Sequence, residues 1–157
     1  DGQRNTTEKH VKVLKKHGWS DAFKVDLLDA EGPDIELDIP NGVAIKKNYV
    51  GKGIADYDSV LVLSHFKGHP MGGYGGALKQ LSIGFASSFG KKYIHGVGDT
   101  ENFWGSDHDD FLRSMADAAS SVVKGLRLSC SSRSSQTNVA KSVLVERPKT
   151  RSSAALL

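Results

Sequence analysis

His65 and His69 stand four residues apart at the end of an apolar run, followed by Gly72, Gly73, Gly75, Gly76 and Lys79. Imidazoles titrate near neutral pH, so His65 and His69 are candidate acid–base catalysts. The four glycines and Lys79 are candidate cofactor-binding residues. Glycines permit φ > 0 and close approach of the main chain to a ligand, and a lysine one turn further on supplies a cation. The stretch is not a known phosphate motif: Leu78 stands where G-x-x-x-x-G-K-[ST] needs its last glycine, and there is no G-x-G-x-x-G. Two other readings stay open, a tight strand-to-helix turn without a ligand and metal ligation by the two histidines. No cysteine or acid lies at fitting spacing for the latter, so the metal is left unassigned. Lys67 reads as solvated, with anion binding as its alternative. His95, and His108 beside Asp107, Asp109 and Asp110, could add ligands through the fold, although His108 reads first as a solvated helix start.

The elements that must position these groups are legible in outline. Thr6-Thr7-Glu8 opens a helical pattern with hydroxyls to cap its first amides, Val11 and Leu14 share a face, and Gly18 reads as the stop. Residues 23–28, 35–39 and 44–50 read as short extended segments, with Pro40-Asn41-Gly42 as a turn. Ile54 to Tyr57 reads as a helical turn. Ser59 to Leu63 is apolar on both faces, as in the centre of a parallel sheet. A helix is expected over 76–88, a turn at Gly90-Lys91-Lys92 and a short strand at Tyr93-Ile94-His95. The strongest periodicity follows: Phe111, Met115, Ala118 and Val122 form one helical stripe, Ser106 or Asp107 caps it, and Gly125 ends it. Alternating helices and strands predict an α/β fold with a central, mostly parallel sheet flanked by helices. The strands are few and short, as in an incomplete domain that needs further sequence to close its core.

Charge divides the 157 residues in two. Residues 1–124 carry 15 basic and 17 acidic side chains, whereas residues 125–157 carry 6 basic and 1 acidic. The net charge of +3 therefore belongs to the tail, and the α/β domain offers no broad basic face for nucleic acid. The tail holds eight serines and reads as a low-complexity basic segment with too little apolar surface to order itself, apart from a short extended run at Val143-Leu144-Val145. No stretch is long and apolar enough to cross a membrane. The chain begins at Asp1 without a methionine, and its scarcity of cysteine suits the cytoplasm.

Ser64-His65-Phe66-Lys67-Gly68-His69 followed by Gly72-Gly73-Tyr74-Gly75-Gly76-Ala77-Leu78-Lys79 resembles the core of the domain-of-unknown-function (DUF) family number 362. The resemblance extends to Arg4-Asn5-Thr6-Thr7, Tyr57-Asp58-Ser59 and Phe111-Leu112-Arg113-Ser114-Met115-Ala116, and so covers roughly residues 2–124. Members of that family are often labelled iron–sulfur-centre proteins. The resemblance thus implies an iron–sulfur cluster and a ferredoxin-type redox partner. This chain departs from the pattern, because Cys130 is its single cysteine and a cluster usually needs four thiolates. A weaker likeness is to the lactate racemase family that uses a nickel-pincer nucleotide. There, a histidine, a G-[FY]-[ST]-G-G stretch and a lysine recur as His69, Gly73-Tyr74-Gly75-Gly76 and Lys79 do here, with Gly75 in place of the hydroxyl residue. That likeness implies proton transfer by His69 and a cofactor carried by Lys79.

Two functions are therefore expected. The first is a small-ligand or cofactor-binding domain of a redox-associated protein, whose site takes an anionic small molecule or nucleotide-like cofactor, with neither nucleic acid nor membrane as partner. The second is a racemase- or isomerase-like enzyme with a histidine base and a lysine-anchored cofactor.

Overall fold

The computed structural model describes residues 4–57, 59–65 and 67–125, and the strands at 129–135, 142–146 and 152–155. Helix α1 (Thr7–Lys16) begins where Thr6 takes an extended conformation and its hydroxyl accepts the Lys9 N–H at 3.3 Å. It ends at Gly18, which has φ +73°. Leu14 is buried but Val11 is exposed, so the apolar face is narrower than the sequence implied. One turn, α2 (Trp19–Ala22), follows, and in the segment 23–28 where a longer strand was expected only the two-residue strand β1 (Val25–Asp26) forms.

Strands β2 (Ile35–Asp38) and β3 (Lys47–Val50) pair antiparallel, with Ile35 opposite Val50 and Asp38 opposite Lys47. Gly42 N–H donates to the Ile39 carbonyl at 2.9 Å in the turn between them. A 3₁₀ turn spans Lys52–Asp56, close to the helical turn expected at 54–57. Strand β4 (Ser59–His65) follows. Val60 and Val62 are buried on one of its faces, and Leu61 and Leu63 are half-buried on the other.

The sheet around β4 is mixed, where a mostly parallel one was expected. Its order is β1, β9 (Ser152–Ala155), β8 (Ser142–Glu146), β4, β7 (Ser129–Ser135). Strand β7 runs parallel to β4, and β8 runs antiparallel to it. Three of the five strands thus come from the serine-rich segment after Gly125, including Val143 to Val145 within β8. The rest of that segment lies outside the described residues.

After β4 come the hairpin strands β5 (Lys67–His69) and β6 (Gly73–Gly75), and then α3 (Ala77–Lys79). The single helix expected over 76–88 is broken. After α3 the chain widens into a π turn over Gln80–Gly84, and α4 (Ser88–His95) starts anew. Helix α4 replaces the expected turn and strand at 90–95. Its cause is a cap: the Ser87 hydroxyl accepts the Gly90 N–H at 3.0 Å. Packing adds to it, because Phe89 and Tyr93 flank the ring of Tyr49 on β3 at 4.8 and 5.2 Å.

Helix α5 (His108–Gly125) forms as its stripe predicts. Asp107 accepts the Asp109 N–H at 2.9 Å, and Phe111, Met115, Ala118 and Val122 are all buried. Val122 joins Val50, Ile54, Val62 and Phe85 in one core, whereas Phe111, Met115 and Ala118 join Ile39, Ile45 and Ile94 in a second. Polar pins fix the register of α5. Asp117 accepts the N–H groups of Ala44 and Ile45 at 2.7 and 3.0 Å, and Ser114 donates to the Ile94 carbonyl at 2.9 Å. Among the described residues no helix is long and apolar enough to cross a membrane.

Candidate functional site

The chain leaves a cavity of about 450 Å³ between its first helix and the strand-to-helix segment after β5. The turn Arg4–Thr7 and His10 of α1 form one wall. Leu27 and Asp29, just beyond β1, form a second. Lys67, Gly75, Gly76 and Lys79, together with Gln80, Ile83 and Gly84 of the π turn, form the third, and α4 adds Ser88 and Lys91. The volume lies within the range of small-molecule sites, roughly 300–1,000 Å³.

Four permanent cations line this space, Arg4, Lys67, Lys79 and Lys91, against one carboxylate, Asp29. Their charges bear on the titration of Lys79 and His10. Lys79 is half-buried and its pKa is lowered from the ordinary 10.5, first by burial and then by the charges of Lys67, Arg4 and Lys91. His10 is lowered from 6.5, first by burial and then by Arg4; Asp29 opposes the shift and Lys91 adds to it. At pH 7 His10 is therefore mainly neutral. Mutual repulsion of this kind is relieved by a bound anion, and the hydroxyls of Thr6, Thr7 and Ser88 add neutral donors beside it.

The residues singled out in the sequence separate into two groups. Gly75, Gly76 and Lys79 line the cavity, and Lys67, read first as solvated, lines it too. Gly72 and Gly73 do not. They belong to the β5–β6 hairpin, where Gly73 has φ +60° and so takes the conformation that favours glycine. His69 also serves that hairpin. Its Nδ1 accepts the Gly72 N–H at 3.0 Å and the Met71 N–H at 3.3 Å. That bonding puts the ring proton on Nε2 and engages the Nδ1 lone pair in the turn. His65 ends β4, and its side chain lies outside the described residues, as do Phe66 and Asp58.

His95 stacks on Phe111 at 5.0 Å and donates from Nδ1 to the Lys91 carbonyl at 2.6 Å. Burial is the first cause of its lowered pKa. His108 is exposed at the start of α5. Among the described residues no group of three His, Cys, Asp or Glu is placed to hold a metal ion. With Cys130 as the one thiol in the chain, the donor set does not fit an iron–sulfur cluster.

Sequence reasoning missed His10, Asp29, Gln80, Ser88 and Lys91 as wall residues. Arg4-Asn5-Thr6-Thr7 was marked as part of a family likeness, and Thr6-Thr7 as a helix start, yet the stretch forms a wall of the cavity. Gln80 did carry a signal, being a polar side chain among Leu78, Leu81 and Ile83.

A family model described as a domain of unknown function (DUF362) matches residues 1–145, reaching past Gly125 into the serine-rich segment. No curated protein and no solved structure matches the chain.

Proposed function

The chain belongs to the DUF362 family, and from that premise we propose that it is a small-ligand-binding domain whose cavity takes a multiply charged anion, a phosphate-bearing molecule or nucleotide-like cofactor. The observation that carries this reading is the convergence of Arg4, Lys67, Lys79 and Lys91 on one cavity with Asp29 as the sole countercharge. That surplus of positive charge suits a phosphate better than a single carboxylate. Burial strengthens the interaction with half-buried Lys79, because the local dielectric is lower than that of water. The cavity can take a phosphate together with a mononucleotide-sized body.

Isothermal titration with inorganic phosphate and adenosine 5′-monophosphate, on the native chain and on Lys79→Ala, tests this. The expected result is saturable binding that weakens on the order of tenfold in the variant, the loss of one charge-assisted contact. Unchanged affinity in Lys79→Ala, or no binding to the native chain, would overturn the reading.

A second reading is favoured by the depressed titration of Lys79. An amine that loses its proton more readily is a better nucleophile, so Lys79 suits a covalently anchored cofactor. Among the described residues the histidine that lines this cavity is His10, and a neutral His10 can accept a proton. Intact-mass measurement of the natively purified protein checks this enzymatic alternative, which requires an adduct that disappears in Lys79→Ala. A redox partnership follows from the family likeness alone, and no step through an iron–sulfur cluster is derived.

A further inference from the structure

One wall of the cavity carries a group whose charge is not fixed. Among the described residues His10 of α1 is the one imidazole that lines it, and it is half-buried there. Histidine changes charge near neutral pH, so its state depends on what surrounds it. Arg4 acts on it from the turn before α1, Lys91 from α4, and Asp29 from the segment after β1. Lys67 of β5 and Lys79 of α3 close the same space.

Without an anion, burial and the charges of Arg4 and Lys91 hold His10 below its ordinary 6.5, against the pull of Asp29. A neutral imidazole donates through one ring nitrogen and offers the other as an acceptor. A dianion among the same residues reverses the local balance. It offsets the repulsion from the cations and attracts the imidazolium, which donates through both nitrogens. The two events reinforce each other equally: the factor by which the anion favours the proton is the factor by which the proton favours the anion.

We propose that a dianion entering this cavity protonates His10, so that anion and proton bind together and the site holds its ligand more tightly in acid than in base. The proton comes from solvent, and no bond of the ligand is broken. This inference rests on the anion-binding reading above. The gain in affinity is complete below the titration point of His10 in the ligand-free protein. It is lost as pH rises through the higher titration point of the bound state. One imidazole carries the effect, so each anion brings at most one proton.

The probe is sulfate, which stays a dianion throughout, whereas a phosphate changes its own protonation near neutrality. Sulfate is titrated calorimetrically into the full chain at constant ionic strength. It is expected to bind about tenfold more tightly at about pH 5 than at about pH 8.5, matching a tenfold change in the proton affinity of His10. Two buffers of different protonation enthalpy should report proton uptake between those limits. His10→Gln is expected to take up no proton and to vary less than about twofold in affinity over the same range. Should His10→Gln fail to fold, the His10 ring resonances of the native chain decide, with a titration midpoint that saturating sulfate moves upward. Affinity independent of pH, or a midpoint unmoved by sulfate, overturns this inference and leaves the anion site standing. So does pH dependence that persists in His10→Gln, because it then belongs to another group such as Asp29 or Lys79. Sulfate that binds at no pH also overturns it, and inorganic phosphate that fails as well removes the anion site.

Discussion

The ammonium of Lys91 stands 3.7 Å from a carboxylate oxygen of Asp29, and both side chains line the same cavity. Each is more than a third exposed or close to it, so the pair contributes little to folding, on the order of 0.5 kcal/mol. Its effect on an anion is larger in kind, because Asp29 is the one negative charge among four positive ones. Asp29→Asn is expected to tighten binding of inorganic phosphate by roughly two- to fivefold and to leave the melting temperature nearly unchanged. Calorimetry at low ionic strength reads the gain, which should shrink at about 0.5 M salt. Weaker binding in Asp29→Asn would mean that the carboxylate positions Lys91 rather than neutralising it.

Lys79 gives a pH signature. Its native pKa lies below the unfolded value of 10.5, with burial as the first cause. Between the two values the unfolded chain holds more protons, so stability rises with pH through that window, and the deficit is fully present below the native value. Lys79→Met removes the deficit. In ligand-free protein at pH 7 the variant is expected to melt roughly 1–3 °C higher, a figure discounted for screening at a half-buried site. The gain should fade as pH approaches 10.5. Added phosphate should narrow or reverse the difference by stabilising the native chain more than the variant. A lower melting temperature for ligand-free Lys79→Met at pH 7 would refute the repulsion argument.

Asp117 holds the loop before β3 from the middle of α5. Asp117→Ala leaves the N–H groups of Ala44 and Ile45 without their acceptor in a buried setting. The expected cost is about 2–4 kcal/mol, read from urea unfolding. A loss below about 0.5 kcal/mol would show that water replaces the carboxylate.

Two glycines should respond in opposite ways to alanine. A methyl group at Gly90 would meet the Tyr49 carbonyl, main chain that cannot swing aside, so Gly90→Ala is expected to be severely destabilising, on the order of 3 kcal/mol. Gly68 has open space at that position, so Gly68→Ala should change stability by less than about 0.5 kcal/mol. Thermal melts of the two variants side by side check the contrast.

Features written in consecutive residues were legible, and features written across the chain were not. The stripe Phe111, Met115, Ala118, Val122 and the cap at Asp107 specify α5 locally, and Thr6 does the same for α1. Helix α4 was misread because Gly90-Lys91-Lys92 has turn composition and Tyr93-Ile94 suits a strand. Its helical state depends on the Ser87 cap and on packing against Tyr49, a contact with β3. Sheet direction was misread because β4 is apolar on both faces whether its neighbours run parallel or antiparallel. Lys79 was singled out from its place behind the glycines, and it lines the cavity. Arg4, Asp29 and Lys91 come from separate elements, and no local spacing reveals that they converge. His69 was singled out because an imidazole titrates near neutral pH, and in the fold its Nδ1 accepts the N–H groups of Met71 and Gly72 in the hairpin.

The walls of the cavity come from residues 4–10, from Leu27 and Asp29, and from residues 67–91. A chain emerging from the ribosome holds Arg4 long before Lys67, Lys79 and Lys91 exist. Any phosphate ester that occupies the space can recognise only the finished architecture, so cargo would double as a chaperone-like reward for completing the topology.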